Sequence, residues 1–321
     1  MTVDVDPGVD VVHAETTLPE YLALMRQPVD FRALMRQVAF AAKRVAAELR
    51  VAGLRGMLGS TGQINVQGET VQQLDSYANA TFVNNLLRSP VVSDLVSEEM
   101  PEGLHLARHK REYALLFDPI DGSSNLDVNL SIGSIFSVRS SDDVLTTGRC
   151  QLAAGYVLYG PATLFVLAMR ELGVHFFTLD PTIGEFLYWR GPVTMPEKGS
   201  SWGANEVHSA SWSRRVSNFV SWLKDATPHS TRYSGALVAD FHRILCNGGV
   251  YMYPSDSTYP NGKLRLLYEA APLAFIADCA GGRAVSEEQD ILEIQPEAIH
   301  ERTPFIIGSR TEIEHFLPAR S

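Results

Sequence analysis

The chain has 321 residues and a net charge of -10, with 45% hydrophobic and 20% charged residues. That much apolar material supports a sizeable core and a division into about two domains. The acidic balance excludes general binding to nucleic acid or to an anionic membrane surface, both of which need basic patches.

Cys150, Cys246 and Cys279 are far apart and lack C-x-x-C spacing. This argues against a disulfide framework or a zinc site and for a reducing compartment. Met1 to Asp10 is acidic, without the basic-then-apolar layout of a signal peptide. No apolar run approaches the roughly 18 residues of a membrane span. A soluble cytoplasmic protein is expected.

In chain order, residues 1–17 read as loose. From Phe31, the apolar positions Phe31, Leu34, Met35, Val38, Ala42, Val45 and Leu49 keep a helical period, and Gly53 can end the helix. Gly56 to Gly68 reads as a glycine-rich loop. A second amphipathic helix is predicted from Thr70 to about Arg88, with Asp75 beside its apolar face. Val91 to Val96 reads as a strand running into Ser97-Glu98-Glu99. Strands follow at Tyr113–Phe117, Ser131–Arg139, Ala153–Tyr159, Thr163–Met169, Gly173–Leu179 and Glu185–Arg190, several as hairpins. Pro192 to Ser201 reads as a connection and a domain boundary. Helices are predicted over Ser211–Lys224, Gly235–Cys246 and from Leu266 to Gly281-Gly282, with strands at Val250–Tyr253 and Phe305–Ile307. Ser309 to Glu312 has capping-box spacing for a last helix.

The strand Tyr113–Phe117 leads into Asp118-Pro119-Ile120-Asp121-Gly122-Ser123-Ser124-Asn125. Asp118 and Asp121 can offer hard oxygen ligands to a cation such as Mg²⁺. Gly122 lets the backbone approach a ligand, and the N–H groups and hydroxyls that follow can hold phosphate oxygens. A tight surface turn uses the same residue types. Further acidic residues stand at strand ends or on helices: Glu69 with Asp75, Glu98 with Glu99, and Glu269. Gathered together they would repel one another unless divalent cations kept them ionised. An oxygen-only donor set suits Mg²⁺ or Mn²⁺, and two or more such ions serve phosphoryl transfer.

The Asp118–Asn125 motif and Ser97-Glu98-Glu99 resemble the lithium-sensitive, Mg²⁺-dependent phosphatase superfamily. Three later stretches narrow the likeness. Arg232 to Arg243 resembles R-Y-x-G-x-x-V-A-D-x-H-R, Gly249 to Pro254 follows at family spacing, and Gly262 to Glu269 matches G-K-L-R-L-L-Y-E. Over roughly Phe31 to Ile307 the chain resembles class I fructose-1,6-bisphosphatases.

The resemblance implies a layered α/β fold, α-β-α-β-α. Its N-terminal half, 1–195, would carry most metal ligands, and its C-terminal half, 196–321, would bind sugar phosphate. It implies hydrolysis of D-fructose 1,6-bisphosphate at the 1-phosphate. A sedoheptulose-1,7-bisphosphatase or dual enzyme, and an inactive sugar-phosphate sensor, are the alternatives. Glu98, Asp118, Asp121, Glu269 and the carbonyl of Ile120 would hold Mg²⁺, with Glu69 and Glu99 completing the cage. Asp75, Glu98, Glu99 and Asp121 would direct the attacking water. Gly122, Ser123, Ser124 and Arg265 would hold the reacting end of the substrate, together with Asp121. Asn205, Tyr233, Tyr253 and Lys263 would hold the 6-phosphate. Arg232 would reach a neighbouring subunit's site, which implies a dimer or tetramer.

Two departures stand out. His208 replaces a phosphate-binding tyrosine of the family's N-E-G-Y. The family's AMP-binding T-G-E-[LM]-T is replaced by Pro28-Val29-Asp30-Phe31-Arg32, a lysine gives way to Glu112, and an arginine is shifted to leave Arg139-Ser140. These imply weak or absent AMP inhibition.

Overall fold

The structure, a computed structural model, describes residues 12–64, 70–106, 113–140, 144–225 and 229–317. The first half runs α1 (Leu18–Leu24), α2 (Val29–Leu49), β1 (Ser60–Ile64), β2 (Thr70–Gln72), α3 (Gln73–Leu86), β3 (Val92–Ser97), β4 (Leu104–His105), β5 (Tyr113–Asp121), β6 (Ile132–Ser140), β7 (Ala153–Tyr159), β8 (Thr163–Met169), β9 (Gly173–Asp180) and β10 (Glu185–Arg190). The second runs β11 (Ser201–Ala204), α4 (Arg214–Asp225), β12 (Ser230–Thr231), α5 (Leu237–Asn247), β13 (Val250–Tyr253), β14 (Leu264–Arg265), α6 (Ala271–Cys279), β15 (Arg283–Val285), β16 (Arg302–Thr303), β17 (Phe305–Gly308) and α7 (Arg310–Phe316).

Two sheets organise these elements. The larger has order β10-β9-β8-β7-β6-β5-β3-β4, antiparallel except for the β3–β5 pair. The smaller has order β12-β11-β13-β17-β15. Side chains alternate across each strand, so one strand serves two cores. In β8, Phe165, Leu167 and Met169 pack with α1, α2 and α3. Val166 and Ala168 pack on the opposite side with α5 and α6. The smaller sheet turns Tyr251, Phe305 and Ile307 toward α5 and α6, and Val250, Met252 and Ile306 toward α4 and α7. The result is five layers, α-β-α-β-α, with α5 and α6 between the sheets. Among the described residues, no helix is long and apolar enough to cross a membrane.

The predicted helix periods are met: Phe31, Leu34, Met35, Val38, Ala42 and Val45 are buried on α2, and Val216, Phe219, Val220 and Leu223 on α4. Four readings are corrected. Residues 60–64 are a strand, because they pair with β2, and this pairing delays the helix start from Thr70 to Gln73. Leu266–Ala270 is a π-helical turn that runs into α6, with Pro272, which has no N–H to give a helix, just past the junction. The segment before Leu18 is not loose throughout, since Thr17 caps α1 in a reciprocal pair with Glu20. Finally, Ser309 and Glu312 form no capping box. Ser309 Oγ accepts from Gly249 N at 3.0 Å and Glu312 Oε1 from Gly199 N at 2.9 Å. Ser309 thus holds the turn before β13 and Glu312 the connection between the halves, rather than their own helix.

Candidate active site

β5 carries the first carboxylates. Its ladder with β6 shifts register between Asp118 and Asp121, around Pro119, which has no N–H to give to a ladder. Pro119 O instead accepts from Ser134 Oγ at 2.6 Å. Gly122 follows at φ +80°, where a Cβ would lie 2.5 Å from Ala236 Cβ, so only glycine fits. A 3₁₀ turn, Ser123–Val128, starts there and presents N–H groups that have no partner within the turn.

α5 reaches the same place from the other half. Gly133 on β6 has no Cβ, which would meet Val238 Cβ at 2.6 Å, so the first turn of α5 packs on the sheet. Leu237 N donates to Asp121 Oδ1 at 3.0 Å and Val238 N to Asp121 Oδ2 at 2.7 Å. Asp121 therefore caps a helix 116 residues away in sequence. The helix N-terminus favours the negative charge it meets.

These elements enclose a cavity of about 390 Å³. Glu98, Asp118, Ile120, Asp121, Gly122, Ser123, Ser124, Tyr253, Lys263, Arg265 and Glu269 all line it. Volume does not single it out, since a cavity of about 620 Å³ lies elsewhere, between α2 and the segment around Leu126–Ile132. Its carboxylates do. Burial first, then the charges of Glu98, Glu269 and Asp121, push the Asp118 carboxyl well above the usual carboxylate range. Burial raises Asp121 to about 7 despite its two backbone hydrogen bonds. Asp118 Oδ1 is buried with no hydrogen-bond partner. Arg265, 3% exposed, places its guanidinium 3.0 Å from Glu98 Oε1 and 3.8 Å from Glu269 Oε2, and its backbone N donates to Glu269 at 2.6 Å. The predicted charge at the reacting end is thus enclosed among the carboxylates.

Among the described residues, no three acidic, His or Cys side chains converge as a formed metal cluster. The donor set nevertheless fits a hard divalent cation. The donors are all oxygen, one of them is orphaned and buried, and burial together with neighbouring carboxylates raises the Asp118 and Asp121 carboxyls.

A second cavity of about 160 Å³ adjoins the first, and Tyr253, Tyr259 and Lys263 line both. Asn205 and His208 line its far side, on and before a 3₁₀ turn, Glu206–Ser211. Tyr233 Oη lies 2.9 Å from Tyr253 Oη, and Lys263 Nζ stands 5.5 Å from the centre of the Tyr253 ring. Hydroxyl, amide, imidazole and ammonium groups thus meet at one end of a groove whose other end is acidic.

Four sequence-predicted residues among the described ones stand apart from the cavity lining, one of them Tyr233, which meets it only through Tyr253 Oη. Asp75 is buried at the start of α3, where Oδ2 accepts from Gln72 N at 2.9 Å. Glu99 follows Glu98 in the turn after β3, half-buried. Arg232 is exposed and donates to Thr231 O. Glu69 lies outside the described residues. Sequence reasoning missed Gln72 and Tyr259 on the walls, and gave no role to Asp240 within the Arg232–Arg243 motif. Both Asp240 oxygens accept from Ser234 N, at 3.1 and 2.9 Å, and Oδ1 also accepts from Arg243, which donates on to Arg232 O. Its sequence signals are the acid of that motif and its place one helical turn before Arg243.

Comparison with known proteins places this geometry. Residues 17–190 match the model for the N-terminal domain of fructose-1,6-bisphosphatase, and residues 195–320 the model for its C-terminal domain. A class 1 fructose-1,6-bisphosphatase of Synechococcus sp. (strain JA-2-3B'a(2-13)) is 48% identical over 316 residues, 94% of each chain. One from Sorangium cellulosum is 46% identical over 301 residues, 89% of this chain and 86% of that one. Among solved structures, Leishmania major fructose-1,6-bisphosphatase in holo form superposes with a TM-score of 0.91 at 38% identity, covering 94% of this chain and 98% of that one. The matched domains, these identities and the shared fold show that the chain belongs to the class 1 fructose-1,6-bisphosphatase family.

Proposed function

We propose that the chain hydrolyses D-fructose 1,6-bisphosphate to fructose 6-phosphate and phosphate, cleaving at the 1-phosphate. The observation that carries this is the single groove with an acidic lobe at one end and an Asn–His–Tyr–Lys lobe at the other, sharing Tyr253, Tyr259 and Lys263 as walls. A bisphosphate has one phosphate for each lobe.

Glu98, Asp118, Asp121, Glu269 and the Ile120 carbonyl would hold Mg²⁺ or Mn²⁺, two or more ions, with Glu99 at the margin; Glu69 is the further ligand that the family resemblance implies. Such ions neutralise phosphate charge and acidify a bound water. Asp75 and Glu99 orient the attacking water through the Gln72 and Glu98 segments. Gly122, Ser123 and Ser124 hold the oxygens of the reacting phosphate. Arg265 balances the carboxylates and keeps Glu98 and Glu269 oriented. Asn205, His208, Tyr233, Tyr253 and Lys263 hold the 6-phosphate, and binding energy from that remote group fixes the reacting one. Exposed Arg232 extends toward a neighbouring subunit's 6-phosphate lobe in a dimer or tetramer.

The test is Mg²⁺-dependent phosphate release across fructose 1,6-bisphosphate, sedoheptulose 1,7-bisphosphate and inositol monophosphate. Preference for the first is expected. Equal or greater turnover of either of the others overturns the assignment.

We infer also that AMP inhibits weakly or not at all. Arg139 is buried, and its Nη1 is committed to Thr146 O at 2.6 Å and Thr147 O at 3.1 Å. Asp30, in the first turn of α2, sets a negative charge where a nucleotide phosphate would approach the helix start. Strong inhibition by micromolar AMP contradicts this.

A further inference from the structure

His300 lies outside the cavity lining, yet it bridges the two segments that bring acidic residues to it. Its Nε2 stands 2.9 Å from Met100 O and 3.3 Å from Pro101 O. Its Nδ1 stands 2.8 Å from Tyr268 Oη. Carbonyl oxygens only accept, so Nε2 carries the proton. Burial lowers the ring's pKa, which keeps it neutral and leaves Nδ1 to accept from the tyrosine. Each partner adjoins a carboxylate of the site. Met100 closes the turn that holds Glu98 and Glu99, its N donating to Ser97 O at 3.2 Å. Tyr268 is fully buried and precedes Glu269 in the π-helical turn Leu266–Ala270. That turn is anchored to the same segment from its other end, where Leu266 N donates to Glu301 O at 2.7 Å.

We propose that His300 is a positioning residue that fixes the Glu98–Glu99 turn against the Glu269 turn, and so sets the cation affinity of the site. The proposal rests on the carboxylate reading given above. A cation held by both turns needs their oxygens at a set separation, and residues that orient ligands from behind typically matter about 10- to 100-fold. Tyr268 is buried, and a hydroxyl that loses its partner at such a place costs free energy. The bridge needs one side chain that gives a donor to Met100 O and an acceptor to Tyr268 Oη, and the imidazole ring carries both.

The test is direct Mn²⁺ binding, read from the electron paramagnetic resonance of free Mn²⁺, in wild type, His300→Ala, His300→Gln and Tyr268→Phe. Steady-state kinetics run alongside. His300→Ala should weaken Mn²⁺ binding about tenfold or more and lower kcat, with KM for the bisphosphate changed less than about threefold. His300→Gln keeps a donor for Met100 O and should recover most of the loss. Tyr268→Phe removes one hydroxyl and should weaken Mn²⁺ binding severalfold, which keeps the test decisive if His300→Ala fails to fold. Mn²⁺ affinities of the variants within twofold of wild type, or His300→Gln no better than His300→Ala, overturn the proposal. Wild type that binds no Mn²⁺ overturns the site reading, and the proposal with it.

Discussion

Asp118 is a carboxylate that the fold buries against three others, with one oxygen left without a partner. Asp118→Asn should therefore cut phosphate release by at least about 100-fold while leaving the metal-free protein as stable or more so, because the amide removes repulsion. Activity assays and thermal melts check the two halves of that expectation. Asp121 gives a pH prediction. In the unfolded chain it titrates near 4, and in the fold at about 7. Between those values the folded state keeps a proton that the unfolded state has lost. Stability of the metal-free protein thus falls as pH rises through the window and levels off above it. Cation binding releases that proton, so the rise in melting temperature on adding Mg²⁺ should be larger at pH 8 than at pH 6. An equal rise at both would contradict it. At this scale the sequence was legible where the chemistry is local: Asp118, Asp121 and Gly122 sit within one short motif. His300 was not, because it acts through a carbonyl and a hydroxyl that only the tertiary fold brings near.

The elements matter at their ends. Asp121 on β5 receives the N-terminus of α5, and Gly122 allows Ala236 to lie against it. Gly122→Ala meets both a left-handed φ and a 2.5 Å contact, so it should cost about 1–3 kcal/mol of stability and lower kcat by displacing the phosphate-binding turn. Chemical denaturation and kinetics together test this. Retention of full activity and stability would mean that the turn yields. Long periodic helices were readable because burial of one face decides them. The strands β4, β12, β14 and β16 were not, because two residues are too few to show a period, and β12, β14 and β16 also pair far along the chain. The S-R-T-E capping signal at Ser309 failed for a related reason. Gly199 and Gly249 offered those side chains backbone N–H donors from the connection and the smaller sheet, and tertiary bonds displaced the local ones.

The five layers join at the groove. β5 and the turn after β3 bring Glu98, Asp118 and Asp121 from one half; β13, β14 and the π-helical turn bring Tyr253, Arg265 and Glu269 from the other. Neither half carries a complete site, which is why the sequence could name the motifs but not their meeting. The central claim is that one lobe cleaves while the other holds. The most direct measurement compares kcat/KM for fructose 1,6-bisphosphate and fructose 1-phosphate, in wild type and in Lys263→Met. Wild type should favour the bisphosphate by about 100-fold or more, and Lys263→Met should narrow that gap while leaving fructose 1-phosphate nearly unaffected. Equal kcat/KM for the two sugars in wild type would contradict the two-lobed groove.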